Sequence, residues 1–221
     1  VFRFELATGK VLQKYTHSGT AYRLAVLPDE KSFIGTDGKN TAVLWETATG
    51  KKLRTFSGHT KDVYTAIIVN GGKTLITGSE DKSIKQWNIA TGECLKTITD
   101  KPAFEDVFTL ATSPNKKRFA MVCDGGYAGV FDSATLEEIW KTKLGEEGEV
   151  VAWSPDGSLI ASTSDDGKLY LFHPETGEIS KKIKIRNYLA PQTPNVGPTF
   201  LSSPHSRGTL HTIFSSLLFP F

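Results

Sequence analysis

Apolar positions in this chain recur in short alternating runs rich in β-branched and aromatic side chains, and each run stops at glycine, proline, aspartate or asparagine. Alternation with period two is the mark of a half-buried strand, and the stop residues are those that make tight turns. The stretch leading to Phe172 shows the pattern most clearly. Val150 to Trp153 predicts a strand, Ser154-Pro155-Asp156-Gly157 a turn, Leu159 to Thr163 a second strand and Asp165-Asp166-Gly167 a second turn. Leu169 to Phe172 then predicts a third strand and Ile179 to Ile183 a fourth. No amphipathic pattern of helix length occurs in the first 185 residues.

The same pattern repeats along the chain. Aromatic residues that close a strand stand at Phe4, Trp45, Trp87, Phe131 and Phe172, separated by 41, 42, 44 and 41 residues. The threonines that follow, Thr8, Thr49, Thr91, Thr135 and Thr176, keep those four intervals. Glycine comes next in four of the five units (Gly9, Gly50, Gly92, Gly177), and Leu136 is the exception. The turn residues Pro28, Asn70, Pro114 and Pro155 repeat at 42, 44 and 41. Three landmarks in phase at this period predict a repeat architecture. Four short antiparallel strands per unit make a small sheet with two apolar faces, and stacking on its neighbours buries both.

Composition adds exclusions. The 221 residues carry 26 basic and 24 acidic side chains, a net charge of +2, mixed along most of the length, so no basic face announces nucleic acid. Cys94 and Cys123 fall in apolar strand-like runs without paired-ligand spacing, and are expected to be small core residues in a reducing, cytoplasmic compartment. No apolar run approaches the ~20 residues of a membrane helix. Because Val1 opens in mid-pattern, the chain is expected to be a piece of something longer.

The period, the Gly58-His59 start, Ser79-Glu80-Asp81, Ser154-Pro155-Asp156-Gly157 and the closing Trp87 resemble the WD-repeat β-propeller family, over residues 1 to about 185. The resemblance implies an all-β fold of four-stranded blades: four full repeats plus the last two strands of a preceding one, in an incomplete ring. The aspartate after the closing aromatic departs from the family pattern as Glu5, Glu46, Asn88 and His173, and survives as Asp132.

Asp81, His59 and Thr77 beside Trp87 have the composition of a nucleophilic relay of carboxylate, imidazole and hydroxyl. The resemblance implies another role, a buried structural tetrad running from aspartate through histidine and hydroxyl to the indole N–H. Aligned on the closing aromatic, other units keep only parts of it: Gly35 and Lys39 before Trp45, Met121 and Gly125 before Phe131, and Ser162 and Asp166 with Leu144 before Phe172. Asp156 and the Asp165-Asp166 pair lie in turn signals, where aspartate bonds its own backbone, and are not read as calcium ligands or an acid/base pair. The histidines at 17, 59, 173, 205 and 211 lack metal-ligand spacing. No phosphate loop or nucleophile elbow occurs, so no catalytic residue, metal or cofactor is assigned. Phe131-Asp132-Ser133-Ala134-Thr135 with Ile139-Trp140 is similar to the repeat of quinone-cofactor propellers, in one unit only.

For a propeller of this family, binding is expected on the loops that enter each innermost strand and on the turns between second and third strands. These are Lys61, Asp62, Glu80, Lys82, Phe104, Glu105, Tyr127, Glu146, Glu147, Asp165 and Lys168, with Phe104 and Tyr127 weighted as aromatics. After Arg186 the composition turns proline-rich and loses acidic residues, so residues 186–221 are expected to form a non-repeat tail, disordered or truncated. An open arc exposes sheet faces that self-association or further sequence would cover. The expected function is a non-catalytic scaffold for other proteins or peptides. The alternatives are the regulatory propeller of a larger multidomain enzyme and a quinone-type oxidoreductase.

Overall fold

The computed structural model describes residues 1–17, 19–99 and 105–185, and the expected tail lies outside them. A two-stranded fragment comes first, β1 (Phe2–Phe4) with β2 (Val11–Lys14). Blade one follows as β3 (Ala21–Val26), β4 (Ser32–Asp37), β5 (Thr41–Glu46) and β6 (Lys52–Ser57). Blade two is β7 (Val63–Val69), β8 (Thr74–Ser79), β9 (Ile84–Asn88) and β10 (Cys94–Ile98). Blade three is β11 (Val107–Thr112), β12 (Arg118–Cys123), β13 (Tyr127–Asp132) and β14 (Glu138–Lys143). Blade four is β15 (Gly148–Trp153), β16 (Ile160–Ser164), β17 (Lys168–Phe172) and β18 (Ile179–Lys184). All pairings are antiparallel between chain neighbours, and the described residues contain one 3-10 turn (Asn70–Gly72) and no α-helix.

The blades share one register. Gly35 lies between Leu24 and Val43, Thr77 between Ala66 and Lys85, Met121 between Leu110 and Gly129, and Ser162 between Val151 and Tyr170. The inner strands β3, β7, β11 and β15 pack against one another in sequence, so the blades fan around their common inner edge as an unclosed arc. Each blade-to-blade interface has its own apolar cluster. Ile34, Phe56, Leu75 and Trp87 join blades one and two, Ile76, Phe119 and Phe131 join two and three, and Val130, Ile160 and Phe172 join three and four. Phe4, with no complete blade behind it, is 52% exposed.

The periodic Thr-Gly pairs have a physical origin. Two of them receive the preceding blade's outer strand on their backbone: Arg54 Nη1 donates to Thr91 O (2.7 Å), and Thr142 Oγ1 donates to Gly177 O (2.7 Å). The residue after each threonine has positive φ, +72° at both Gly50 and Gly177, where a side chain is strained. Leu136 takes this conformation too (φ +58°), and its side chain is buried in the cluster between blades two and three.

Two expectations change. Cys94 is exposed, because it begins β10, an outermost strand that is covered only at its end; Cys123 is buried, and burial pushes its thiol pKa up. The strand expected at Leu159 begins at Ile160, because the Ser154 hydroxyl accepts from Leu159 N–H (2.9 Å) and holds that residue in the turn.

Candidate functional site

The four residues singled out in blade two are joined side by side. His59 Nδ1 lies 2.8 Å from Asp81 Oδ2, His59 Nε2 lies 2.7 Å from Thr77 Oγ1, and Trp87 Nε1 donates to Thr77 Oγ1 at 2.9 Å. Every group is satisfied when Nδ1 carries the imidazole proton and the threonine hydroxyl donates to Nε2. Thr60 N–H (2.9 Å) and Ser83 N–H (3.0 Å) also donate to the carboxylate. Burial would raise the Asp81 pKa, but its bonds from His59, Ser83 and Thr60 hold it far below the ordinary carboxylate range. A nucleophile must meet its substrate, and the Thr77 hydroxyl is sealed, with Thr77 fully buried and Trp87 1% exposed. The arrangement has the connectivity of a relay and the enclosure of a structural network.

In blade one, His17 stands 42 residues before His59, beside Trp45 (ring centroids 5.3 Å apart). Gly35 replaces the hydroxyl, and the His17 ring fills the vacated space: a Cβ at Gly35 would meet its Cε1 at 2.6 Å. Both His17 nitrogens and Trp45 Nε1 are buried without a hydrogen-bond partner among the described residues. The turn carboxylate has moved to Asp37, where its Oδ1 accepts from Lys39 N–H (3.1 Å) and Thr41 Oγ1 (2.9 Å). Burial lowers the His17 pKa, against the pull of Asp37.

Blade four substitutes a phenol. Tyr170, from the third strand, donates to Asp166 Oδ2 (2.5 Å) and accepts from Gly145 N–H (3.0 Å), and Lys168 Nζ lies 2.7 Å from the same carboxylate. Blade three has Met121 and Phe131, both fully buried, and no polar network at those positions. The isolated quinone-like stretch resolves into turn bonds and one bond between blades: Asp132 Oδ1 accepts from Ala134 and Thr135 N–H (2.8 Å each), and Trp140 Nε1 donates across to Pro174 O of blade four (2.8 Å). Asp156 Oδ1 is bonded by the Ser154 hydroxyl (2.6 Å) and by Ser158, which depress its pKa to about 2. Among the described residues no group of three or more His, Cys, Asp or Glu is arranged to hold a metal ion, and no helix is long and apolar enough to cross a membrane.

The expected binding loops gather on one face. Lys61 Nζ pairs with Glu80 (3.2 Å), and Lys82 pairs with Glu105, bridging blades two and three. Asp124, Glu146, Glu147 and Asp165 with Lys143 line a pocket of about 340 Å³ between blades three and four. Tyr127 is half-buried against the core, with Lys143 Nζ 4.4 Å and Lys141 Nζ 5.4 Å from its ring centroid, so its ring already carries cations. Phe104 lies outside the described residues.

Sequence reasoning passed over a row of aromatics on this face. Tyr22, Tyr64 and Phe108 are the second residues of β3, β7 and β11, with ring centroids 5.0 and 5.4 Å apart. Their spacing, 42 and 44, is the interval of the turn landmarks and was there to be counted. Each sits where the inner strand's register slips, and such a bulge re-aims a side chain.

Stacked four-stranded blades in one register, with Thr-Gly docking turns and a wired tetrad, define a β-propeller segment made of repeats. Residues 50–88, which contain all four tetrad residues, match the WD domain, G-beta repeat model, and residues 132–190 match the Anaphase-promoting complex subunit 4 WD40 domain model. Two stretches of the chain thus match models of WD repeats, and the fold between them repeats the same blade. It is 28% identical to protein tipD of Dictyostelium discoideum over 62% of its own length and 20% of that protein's. It is 28% identical to eukaryotic translation initiation factor 3 subunit I of Emericella nidulans, and 29% identical to that of Debaryomyces hansenii, over 65% and 66% of its length. The chain spans 46% of each of those two relatives.

Proposed function

We propose that this chain is a non-catalytic scaffold segment that binds other proteins through its loop face. One observation carries the reading. The polar residues with catalytic composition are sealed inside blade two, whereas charged side chains of the loops of blades two and four, Lys61, Lys82, Glu146 and Asp165 among them, are exposed. Rigid sheets present such loops without reorganising, which favours recognition over chemistry. The similarity to a translation initiation factor subunit supports membership of a cytoplasmic multi-protein assembly, and the tetrad His59, Thr77, Asp81 and Trp87 is assigned to holding the blade.

The test is affinity capture with mass spectrometry on the full-length protein. Wild type is compared with a variant carrying alanine at Lys61, Glu80, Glu146 and Asp165, and with a control carrying alanine at Lys52 and Lys181 on outer strands. Partners lost with the first variant and kept with the second support the reading. An unchanged partner set in the loop variant overturns it.

A further inference from the structure

The aromatic row on the loop face has no structural assignment in the tetrad or in the blade-to-blade clusters. Tyr22 is 42% exposed, and Tyr64 and Phe108 are half-buried beside it. Tyr22 and Tyr64 meet edge to face at 89°, and Phe108 lies tilted at 40° to Tyr64, so the three rings form one continuous strip across blades one to three. All three stand on inner strands of the arc, outside the buried clusters that join the blades.

Carboxylates border the strip. The Tyr22 hydroxyl donates to Asp62 Oδ2 (2.9 Å), and the Tyr64 hydroxyl donates to Glu80 Oε2 (3.2 Å). These bonds point the phenols at the rim carboxylates. Burial, followed by Asp62, raises the Tyr22 pKa, and burial, followed by Glu80, raises that of Tyr64, so both phenols stay protonated at any physiological pH. The fourth blade puts Glu149 at the matching second position of β15, and the acidic pocket at Glu146, Glu147 and Asp165 extends the same face.

Elsewhere on this face the chain answers the same chemistry with its own cations. Lys141 and Lys143 stand over the Tyr127 ring. At the strip itself Lys61 Nζ already pairs with Glu80 Oε1 (3.2 Å), so Asp62 is the rim carboxylate with no lysine or arginine paired to it among the described residues. Among the described residues no lysine or arginine stands over Tyr22 or Tyr64.

We propose that the Tyr22–Tyr64–Phe108 strip, with Asp62 and Glu80 at its rim, docks an arginine-bearing extended segment of a partner protein. The guanidinium plane stacks on an aromatic face and forks onto a carboxylate at the same time, whereas an ammonium does the second as a point charge only. Aromatic anchors with a charged rim are also the composition of interface hot spots. The inference rests on the loop-face reading above and adds the partner's chemistry to it.

The probe is a fluorescein-labelled eleven-residue peptide with one central arginine in a glycine-serine background, titrated against the full chain by anisotropy. Matched peptides carry citrulline, lysine or glutamate at that position. Replacing arginine by citrulline is expected to weaken binding about tenfold, and lysine is expected to fall between them. Tyr22→Leu is expected to weaken the arginine peptide about fivefold and Tyr22→Phe to restore most of it, since the ring is what matters; circular dichroism melting checks that both variants fold. Equal binding of arginine and citrulline, preference for glutamate, an unmoved Tyr22→Leu, or no binding up to millimolar concentration overturns the proposal. If arginine selectivity fails while the loop-face alanines still strip partners in the capture experiment, the partner chemistry is wrong and the scaffold reading stands. If arginine selectivity holds while capture is indifferent to the loops, the strip binds cations but the scaffold reading falls.

Discussion

Blades one and two place a histidine beside a tryptophan at the same step of the same register, yet one histidine is wired and the other is stranded. His59 has a carboxylate on one nitrogen and a hydroxyl on the other, and Trp87 donates to that hydroxyl. His17 and Trp45 have neither partner, because the hydroxyl position is Gly35 and the turn carboxylate is Asp37, two residues earlier than the position of Asp81. A buried donor without a partner costs about 1–3 kcal/mol, so the same motif stabilises one blade and burdens the next. Packing is what the two have in common: Trp45 and Trp87 are 5% and 1% exposed. Stacking of blades therefore tolerates loss of the polar wiring, and the wiring is an addition to the fold rather than its condition.

The largest test breaks the wired blade. Asp81→Ala removes the partner of His59 Nδ1, Thr60 N–H and Ser83 N–H together, and is expected to cost about 3 kcal/mol. Calorimetry checks it, and a melting curve superimposable on wild type would contradict a structural tetrad. The same residue carries a pH signature. A carboxyl held below its unfolded pKa stabilises above about pH 4 and surrenders that stability as the pH falls further. Asp81→Asn is accordingly expected to flatten the acid limb of the stability curve.

A paired substitution sharpens the contrast. Trp87→Phe and Trp45→Phe remove similar volume, but only the first leaves the Thr77 hydroxyl without its donor, whereas the second removes an N–H that had no partner. Trp87→Phe is expected to be the more destabilising by about 1 kcal/mol in urea unfolding. Equal losses would mean that the indole bond contributes nothing beyond packing.

Protonation separates the blades again. Burial depresses the His17 pKa below 6.5. The unfolded chain therefore takes up its proton first, so this group's stabilisation is present above about pH 6.5 and declines as the pH falls below it. His17→Phe should remove that slope between about pH 7 and pH 5, measured as urea midpoints across the range. Retention of the full slope would assign it to another group.

Most of the architecture was legible because its causes are local. The αL requirement at Gly50 and Gly177, the Pro-Asp-Gly turn at 155–157 and the strand alternation all act within a few residues, and they repeat. Cys94 was misread because the alternation of a strand does not say whether a sheet covers it, and β10 is outermost. The phenol of Tyr170 replacing an imidazole was invisible for a related reason: it comes from the third strand instead of the loop before the first, reaching back to Asp166 in the adjoining turn and across to Gly145. His17 could have been counted from His59, but its lack of partners depends on where the Asp37 side chain turns, which spacing does not encode.

The smallest effect is expected from wiring blade one. Gly35→Thr alone should destabilise slightly, because a Cβ there meets the His17 ring at 2.6 Å and the ring must swing aside. Lys39→Asp alone should be close to neutral, since it puts a carboxylate at the tetrad position with no hydroxyl beyond it. Together they supply both partners that His59 has, and a double-mutant cycle is expected to give a favourable coupling of about 0.5–1 kcal/mol. The coupling isolates the network from the individual strains of each substitution. Zero coupling would mean that His17 is held by packing alone and cannot be recruited, so that the two blades differ in how the ring is seated and not merely in which partners it was given.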